Sequence, residues 1–277
     1  MPFRPVVALA TALLALTAAP PPPARADDAV LARYDVRVRG LNVMRVEALF
    51  DLSGPRYRVQ TRVRPVGVGA AFSGGGEQVS ATEGSWRGAD PQPSRHSSEG
   101  QWRGGRRALL LDYAPAVAAA ATGGGAGAPL LRVLEPPLEP EREPVPEPLK
   151  RGTVDGLSAV AKLLRAVEQT GRCEGEAPVF DGRRRSDFRA WTEGLDELPR
   201  GEGAFAGPAL RCAFLGRLVA GRHAAHERDN GRPPRPVVAW VARPLPGRAT
   251  VPILIEFQTP LAGTVRAVLA SAEPARP

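Results

Sequence analysis

Apolar and polar positions alternate along much of the chain. Tyr34, Val36 and Val38 are interleaved with Asp35, Arg37 and Arg39, and Gly40 ends the run. Met44, Val46, Ala48 and Phe50 alternate with Arg45, Glu47 and Asp51; Tyr57, Val59, Thr61 and Val63 alternate with Arg58, Gln60, Arg62 and Arg64. A period of two is the mark of a strand with one buried and one wet face. Ser53-Gly54-Pro55 supplies a turn between the last two runs,. Three such strands in succession predict an antiparallel meander whose arginines lie on the wet face.

Weaker strand patterns cover 78–85, 97–102 and 107–113, with a hairpin turn at Gly104-Gly105,. The pattern then stops. An Ala/Gly stretch over 114–128 is followed by six prolines among charged residues between Pro136 and Pro148. This composition predicts a long exposed connection over about 114–151.

From Thr153 to Gly171 the period changes to that of a helix. Leu157, Val160, Ala161, Leu164 and Val167 fall on one face, and Lys162, Arg165 and Glu168 lie opposite,. Thr153 or Asp155 suits the N-cap, and Gly171 suits the position just past the end. A helix with such a stripe must pack on something, and the inner face of the sheet is the expected partner. Strand patterns return around Val179-Phe180, over 211–219, 237–242 and 253–257, and from Val265 to Leu269. The fold class predicted is mainly β: a curved antiparallel meander of about ten strands, closing to an open or nearly closed barrel around one packed helix.

The first residues determine the expected compartment. Arg4 precedes an uncharged apolar stretch from Val6 to Ala19, then Pro20 to Pro23, then Ala24-Arg25-Ala26. This is the layout of a secretory signal peptide over 1–26, cleaved after Ala26 to leave a single β-rich domain over 27–277. The apolar run is short for a bilayer span, and no later segment approaches the roughly 20 residues a span needs. A periplasmic protein that is not integral to the membrane is expected. In that oxidising compartment Cys173 and Cys212, the only cysteines, are expected to form a disulfide,.

The net charge of +8 changes this picture little. Nearly all the positive charge is arginine, spread along the chain with acidic residues between. No basic run or aromatic platform supports nucleic-acid binding.

Two blocks carry a likeness to a known family. The first is Gly152-Thr153-Val154-Asp155-Gly156-Leu157-Ser158-Ala159; the second is Pro178-Val179-Phe180-Asp181-Gly182-Arg183-Arg184-Arg185. With Cys173 and Cys212 they resemble the domain of unknown function 3108 family of exported bacterial proteins. That family often has proline and tyrosine where this chain has Gly156 and Ser186. The resemblance implies a periplasmic protein with no established activity. The layout is also similar to the curved sheets of lipoprotein-carrier proteins, an architectural analogy only.

Candidate chemistry is sparse. Asp181 with Arg183, Arg184 and Arg185 is the densest charged spot. It reads either as a site for an anionic headgroup or acidic partner, or as a hairpin turn with an arginine pairing to Asp187. His223, His226 and Glu227 have metal-like spacing but sit in a segment rich in turn residues, with no third ligand evident,. Ser158 lacks the second glycine of a hydrolase elbow. Glycines 74–76 and 123–125 lack the context of phosphate loops. No catalytic residue, metal or cofactor is expected. The expected function is non-catalytic binding of a lipid-like ligand or an envelope partner. Leu157, Val160, Leu164 and Val167 would face inward and Asp181 with Arg183 to Arg185 would stand at the rim. The alternatives are an envelope hydrolase assembled from distant strands and a purely structural partner protein.

Overall fold

The computed structural model describes residues 29–114, 116, 118, 127–224, 235–259 and 263–275. Residues 1–26, read from the sequence as a signal peptide, and the pair His226 and Glu227 therefore lie outside the described residues.

Thirteen strands form one antiparallel sheet. They are β1 Val30–Val38, β2 Leu41–Asp51, β3 Arg56–Pro65, β4 Gln78–Arg87, β5 Asp90–Trp102, β6 Gly105–Asp112, β7 Leu130–Glu135, β8 Gly175–Phe180, β9 Arg185–Leu198, β10 Gly207–Ala220, β11 Val237–Ala242, β12 Val251–Thr259 and β13 Gly263–Pro274. Three helices join them among the described residues: α1 Val68–Ser73, α2 Glu147–Lys150 and α3 Gly156–Thr170. The strand order runs β7-β6-β5-β4-β3-β2-β1-β13-β12-β11-β10-β9-β8. Two meanders thus meet at the β1–β13 ladder in the middle, and the long connection carrying α2 and α3 leads from one outer edge to the other.

Register follows the hydrophobic alternation. Val30, Ala32 and Tyr34 are buried on β1, opposite Phe50, Ala48 and Val46 of β2. A shift of one residue would turn this set to the wet face, so burial pins the pairing. The hydrogen-bonded ladder does not close between β7 and β8. Side chains span the gap: Leu111 and Tyr113 cluster with Val145, Phe180 and Ala220. Gly182, with φ +87°, sits against Leu109, Leu131 and Leu134, where a side chain would collide. The sheet is therefore nearly closed, by packing and not by strand pairing.

Two sequence expectations are corrected. Leu130–Glu135, read as part of an exposed connection, is the edge strand β7, paired to β6. The hairpin turn placed at Gly104-Gly105 is Arg103-Gly104, with Trp102 paired to Gly105. Strand β5 also begins at Asp90, seven residues before the expected start, and contains Pro91 and Pro93. Both prolines lie beyond the end of β6, which pairs only from Arg95 onward. Their missing N–H groups therefore interrupt no ladder on that side.

Helix α3 fills the concave face. Asp155 is its N-cap and accepts a hydrogen bond from the Ser158 amide; Gly171 ends it in the left-handed conformation. Ala161 and Leu164 join one core with Tyr34, Phe50, Tyr57, Val59, Val241 and Ile253. Cys173 and Cys212 form a disulfide inside this core, with Cα atoms 5.7 Å apart. Leu198 and Phe205 pack beside Ile253 and Leu254 of β12, whose residues Val251, Pro252, Ile253 and Leu254 are all buried.

Candidate functional site

Two of the recesses beside α3 contain residues named from the sequence. The first lies between the helix and β8–β12 and has a volume of about 160 Å³. Ala159, Val160 and Leu163 line it from the helix, and Ala177, Phe188, Phe214 and Ile255 from the sheet. Small residues on both walls create the space. Val160, 37% exposed, stands at the edge. At the rim the Lys162 ammonium donates to the Glu176 carbonyl at 2.9 Å and pairs with Asp90 at 2.8 Å. The second recess is a polar cleft of about 430 Å³ beside the start of the helix. Gln78, Ser80, His96, Ser98, Arg107 and Arg183 are among its lining residues.

Between the recesses lies a buried polar network. The Asp155 carboxylate, 1% exposed, accepts from the Ser158 hydroxyl at 2.6 Å and from the Thr82 hydroxyl at 3.0 Å. Its other oxygen accepts from the Ser158 amide at 3.0 Å. His96 Nδ1 lies 3.3 Å from that same oxygen, close enough for an ion pair but misaligned for a hydrogen bond. The Tyr57 hydroxyl and the Ser158 hydroxyl are 2.8 Å apart. Burial pushes the Asp155 carboxyl up, yet His96 and the Ser158 donors outweigh it and hold the group below its ordinary value,. Burial pushes the Tyr57 hydroxyl up, so it stays protonated.

Ser158, His96 and Asp155 are the residue types of an acyl-transfer triad, but the order is wrong for that chemistry. The carboxylate stands between serine and histidine, whereas a nucleophilic serine needs the imidazole as its base. Ser158 is also fully buried, at 0% exposure. The arrangement fixes the start of α3 to β3, β4 and β5. Of the network, only the Asp155 cap had a signal in the sequence. His96 occupies a polar strand where no periodicity marks it.

The helix separates the residues named from the sequence into two groups. Val160 and Leu164 line the apolar recess, and Leu157 lines the polar cleft with Asp181 and Arg183. Leu157 and Val167 also pack on the main core. The charged residues are engaged with the protein itself. Arg183 donates to the Pro137 carbonyl at 3.2 Å and to Glu139 at 3.0 Å, and also to the Pro136 carbonyl. Arg184 pairs with Asp181 at 3.0 Å; Arg185 pairs with Asp187 at 2.8 Å and donates to the Leu149 carbonyl at 3.1 Å. This block ties the β8–β9 turn to the long connection. On the sheet, Val59 belongs to the main core and Phe214 and Ile255 line the apolar recess, whereas Val36 and Phe257 are in neither. His223 forms a backbone bridge with Arg142.

Fold and recesses together define a curled antiparallel β-meander that holds a helix in its hollow beside an apolar pocket. The family model described as protein of unknown function, DUF3108, matches residues 33–270, and the chain belongs to that family. No curated protein and no solved structure matches it. No helix among the described residues is long and apolar enough to cross a membrane.

Proposed function

We propose that the protein is exported to the periplasm, with cleavage after Ala26, and binds a lipid-like apolar ligand in the recess between α3 and β8–β12. The observation that carries this reading is the recess itself, about 160 Å³ walled by aliphatic and aromatic side chains. Apolar cavities near this size take up a benzene-sized guest and stay free of water. The size also limits the affinity. About four buried methylenes would contribute roughly 3 kcal/mol, less than the roughly 4 kcal/mol of a millimolar complex. A ligand that binds usefully must therefore continue past Val160, so longer acyl chains should bind more tightly than short ones.

Displacement of a fluorescent fatty acid tests this. The unaltered protein should bind the probe, with longer chains competing better. Ala159→Phe, which fills the recess from the helix, should weaken binding roughly tenfold or more with unchanged circular dichroism. Equal binding by both proteins, or none by either, would refute the assignment. N-terminal sequencing of protein recovered from the periplasm should read Asp27 first; an intact Met1 would overturn the export reading.

A further inference from the structure

We propose that one end of the sheet, built from the β1–β2, β3–β4 and β5–β6 connections, docks on an anionic lipid bilayer surface. Helix α1 is the centre of this end. A core-facing helix buries its apolar residues, yet α1 does the reverse: Ser73 is its buried residue, while Phe72 is 81% and Val68 48% exposed. The neighbouring Leu41 is 59% exposed. The helix is held in this outward pose from both sides. Gly69 lies so close to the Val43 carbonyl that a Cβ would collide with it, and the Ser73 carbonyl accepts from the Arg103 amide at 2.8 Å. Leu41, α1 and the β5–β6 turn are therefore one continuous surface.

Cations flank the apolar tip. The β1–β2 and β5–β6 hairpins both turn on Arg-Gly with positive φ at each residue, 49° and 81° for Arg39-Gly40, 50° and 75° for Arg103-Gly104. Such turns favour asparagine, aspartate or glycine at the first position, so arginine is an unfavourable choice for the backbone. Both side chains project where the strands end, and neither has an acidic partner among the described residues. The nearby Glu77 is taken by Arg62 and Arg64. Glu99, four residues before Arg103 on β5, lies back from the tip.

Exposed apolar side chains ringed by unpaired cations are the chemistry of attachment to an anionic membrane surface. A second copy of the chain fits less well, because a symmetric contact through this patch would bring Arg39 and Arg103 of both copies into one interface. The polar cleft lies next to this end, since Gln78 and Arg107 follow α1 and the β5–β6 turn directly. The inference is independent of the apolar recess.

Co-sedimentation of the exported chain with vesicles is the test. Vesicles of mixed phosphatidylglycerol and phosphatidylcholine should pull the protein down, and pure phosphatidylcholine vesicles should do so much less. About 0.5 M salt should release it, because screening shortens the reach of surface charge. Leu41→Ser with Phe72→Ser should weaken partitioning roughly tenfold or more. Arg39→Asn with Arg103→Asn should weaken it about 25-fold, taking about fivefold per arginine. Asparagine suits these turns better than arginine, so this second variant should melt no lower than the parent, which separates docking from folding. The proposal is overturned if the protein ignores anionic vesicles, or if both double variants sediment like the parent. It is equally overturned if light scattering shows a dimer that Phe72→Ser dissolves.

Discussion

Replacing Cys173 and Cys212 together by alanine is expected to lower stability by about 4 kcal/mol, the chain-entropy value for a loop of this length. The bridge joins cysteines separated by 39 positions, and the loop it closes contains β8 and β9. Strand β8 is the outer edge of the sheet; it ladders with β9, and on its other side Val154 bridges to Val179. The disulfide thus anchors the exit of α3 and the entry to the edge strand onto β10, beside weaker ties from the Cys173 amide to the Thr192 hydroxyl and from the Thr250 amide to Glu168. Loss of 4 kcal/mol is a large share of the 5–15 kcal/mol typical of a folded domain. The consequence extends to the proposed function, because Ala177 and Val179 of β8 form one wall of the apolar recess and α3 forms another. The reduced protein should therefore unfold at lower denaturant and bind an acyl probe more weakly. Denaturant unfolding of the parent, the reduced parent and the double variant measures this. Equal midpoints for all three, or two free thiols on unreduced denatured protein, would contradict it.

What the sequence discloses, and what it hides, has physical causes. Strands β1 to β3 are legible because one face is wet, so Val30, Ala32 and Tyr34 alternate with half-buried neighbours. The hairpin at Asp181-Gly182 is legible because turn chemistry is local. By contrast, the pairing of Val30 with Pro274 joins residues at opposite ends of the chain, and no local pattern reports it. Strand β7 is six residues long, its Leu/Val-rich run carries no period-two alternation of apolar and polar positions, and it is set between an Ala/Gly stretch and a proline run. The helix stripe was legible, but its centre was not. Ser158, a polar residue, is among the most buried on α3, while the apolar Val160 is exposed at the recess. A hydrophobicity pattern assigns these two the other way round, because it cannot register a buried polar network supplied by distant strands. The arginine block shows the same limit: its density is plain in sequence, but its engagement by the Pro136 and Pro137 carbonyls follows from the fold.

That network yields the second large prediction. Asp155→Ala should cost about 3–5 kcal/mol. Loss of the helix cap to the Ser158 amide accounts for about 1 kcal/mol, and each of the two buried hydroxyls that loses this acceptor adds about 1–2 kcal/mol, the lower part of the usual range. The Ser158 amide loses its cap, and the Ser158 and Thr82 hydroxyls lose Asp155 but keep the Tyr57 hydroxyl and the Arg95 carbonyl within reach, which holds their costs low. Asp155→Asn keeps the shape and one acceptor, so its cost should be smaller, and it isolates the role of charge. Because the folded protein holds this carboxyl below its ordinary value, protonation favours the unfolded chain,. The stabilisation is complete above the ordinary carboxyl value of about 3.9 and is lost as pH falls through the lower, folded value. The gap in unfolding free energy between the parent and Asp155→Asn should therefore be constant near neutral pH and shrink below about pH 4. Urea unfolding of both proteins across that range measures it. A gap that stays constant into strong acid would mean that the network uses Asp155 for its shape and not for its charge.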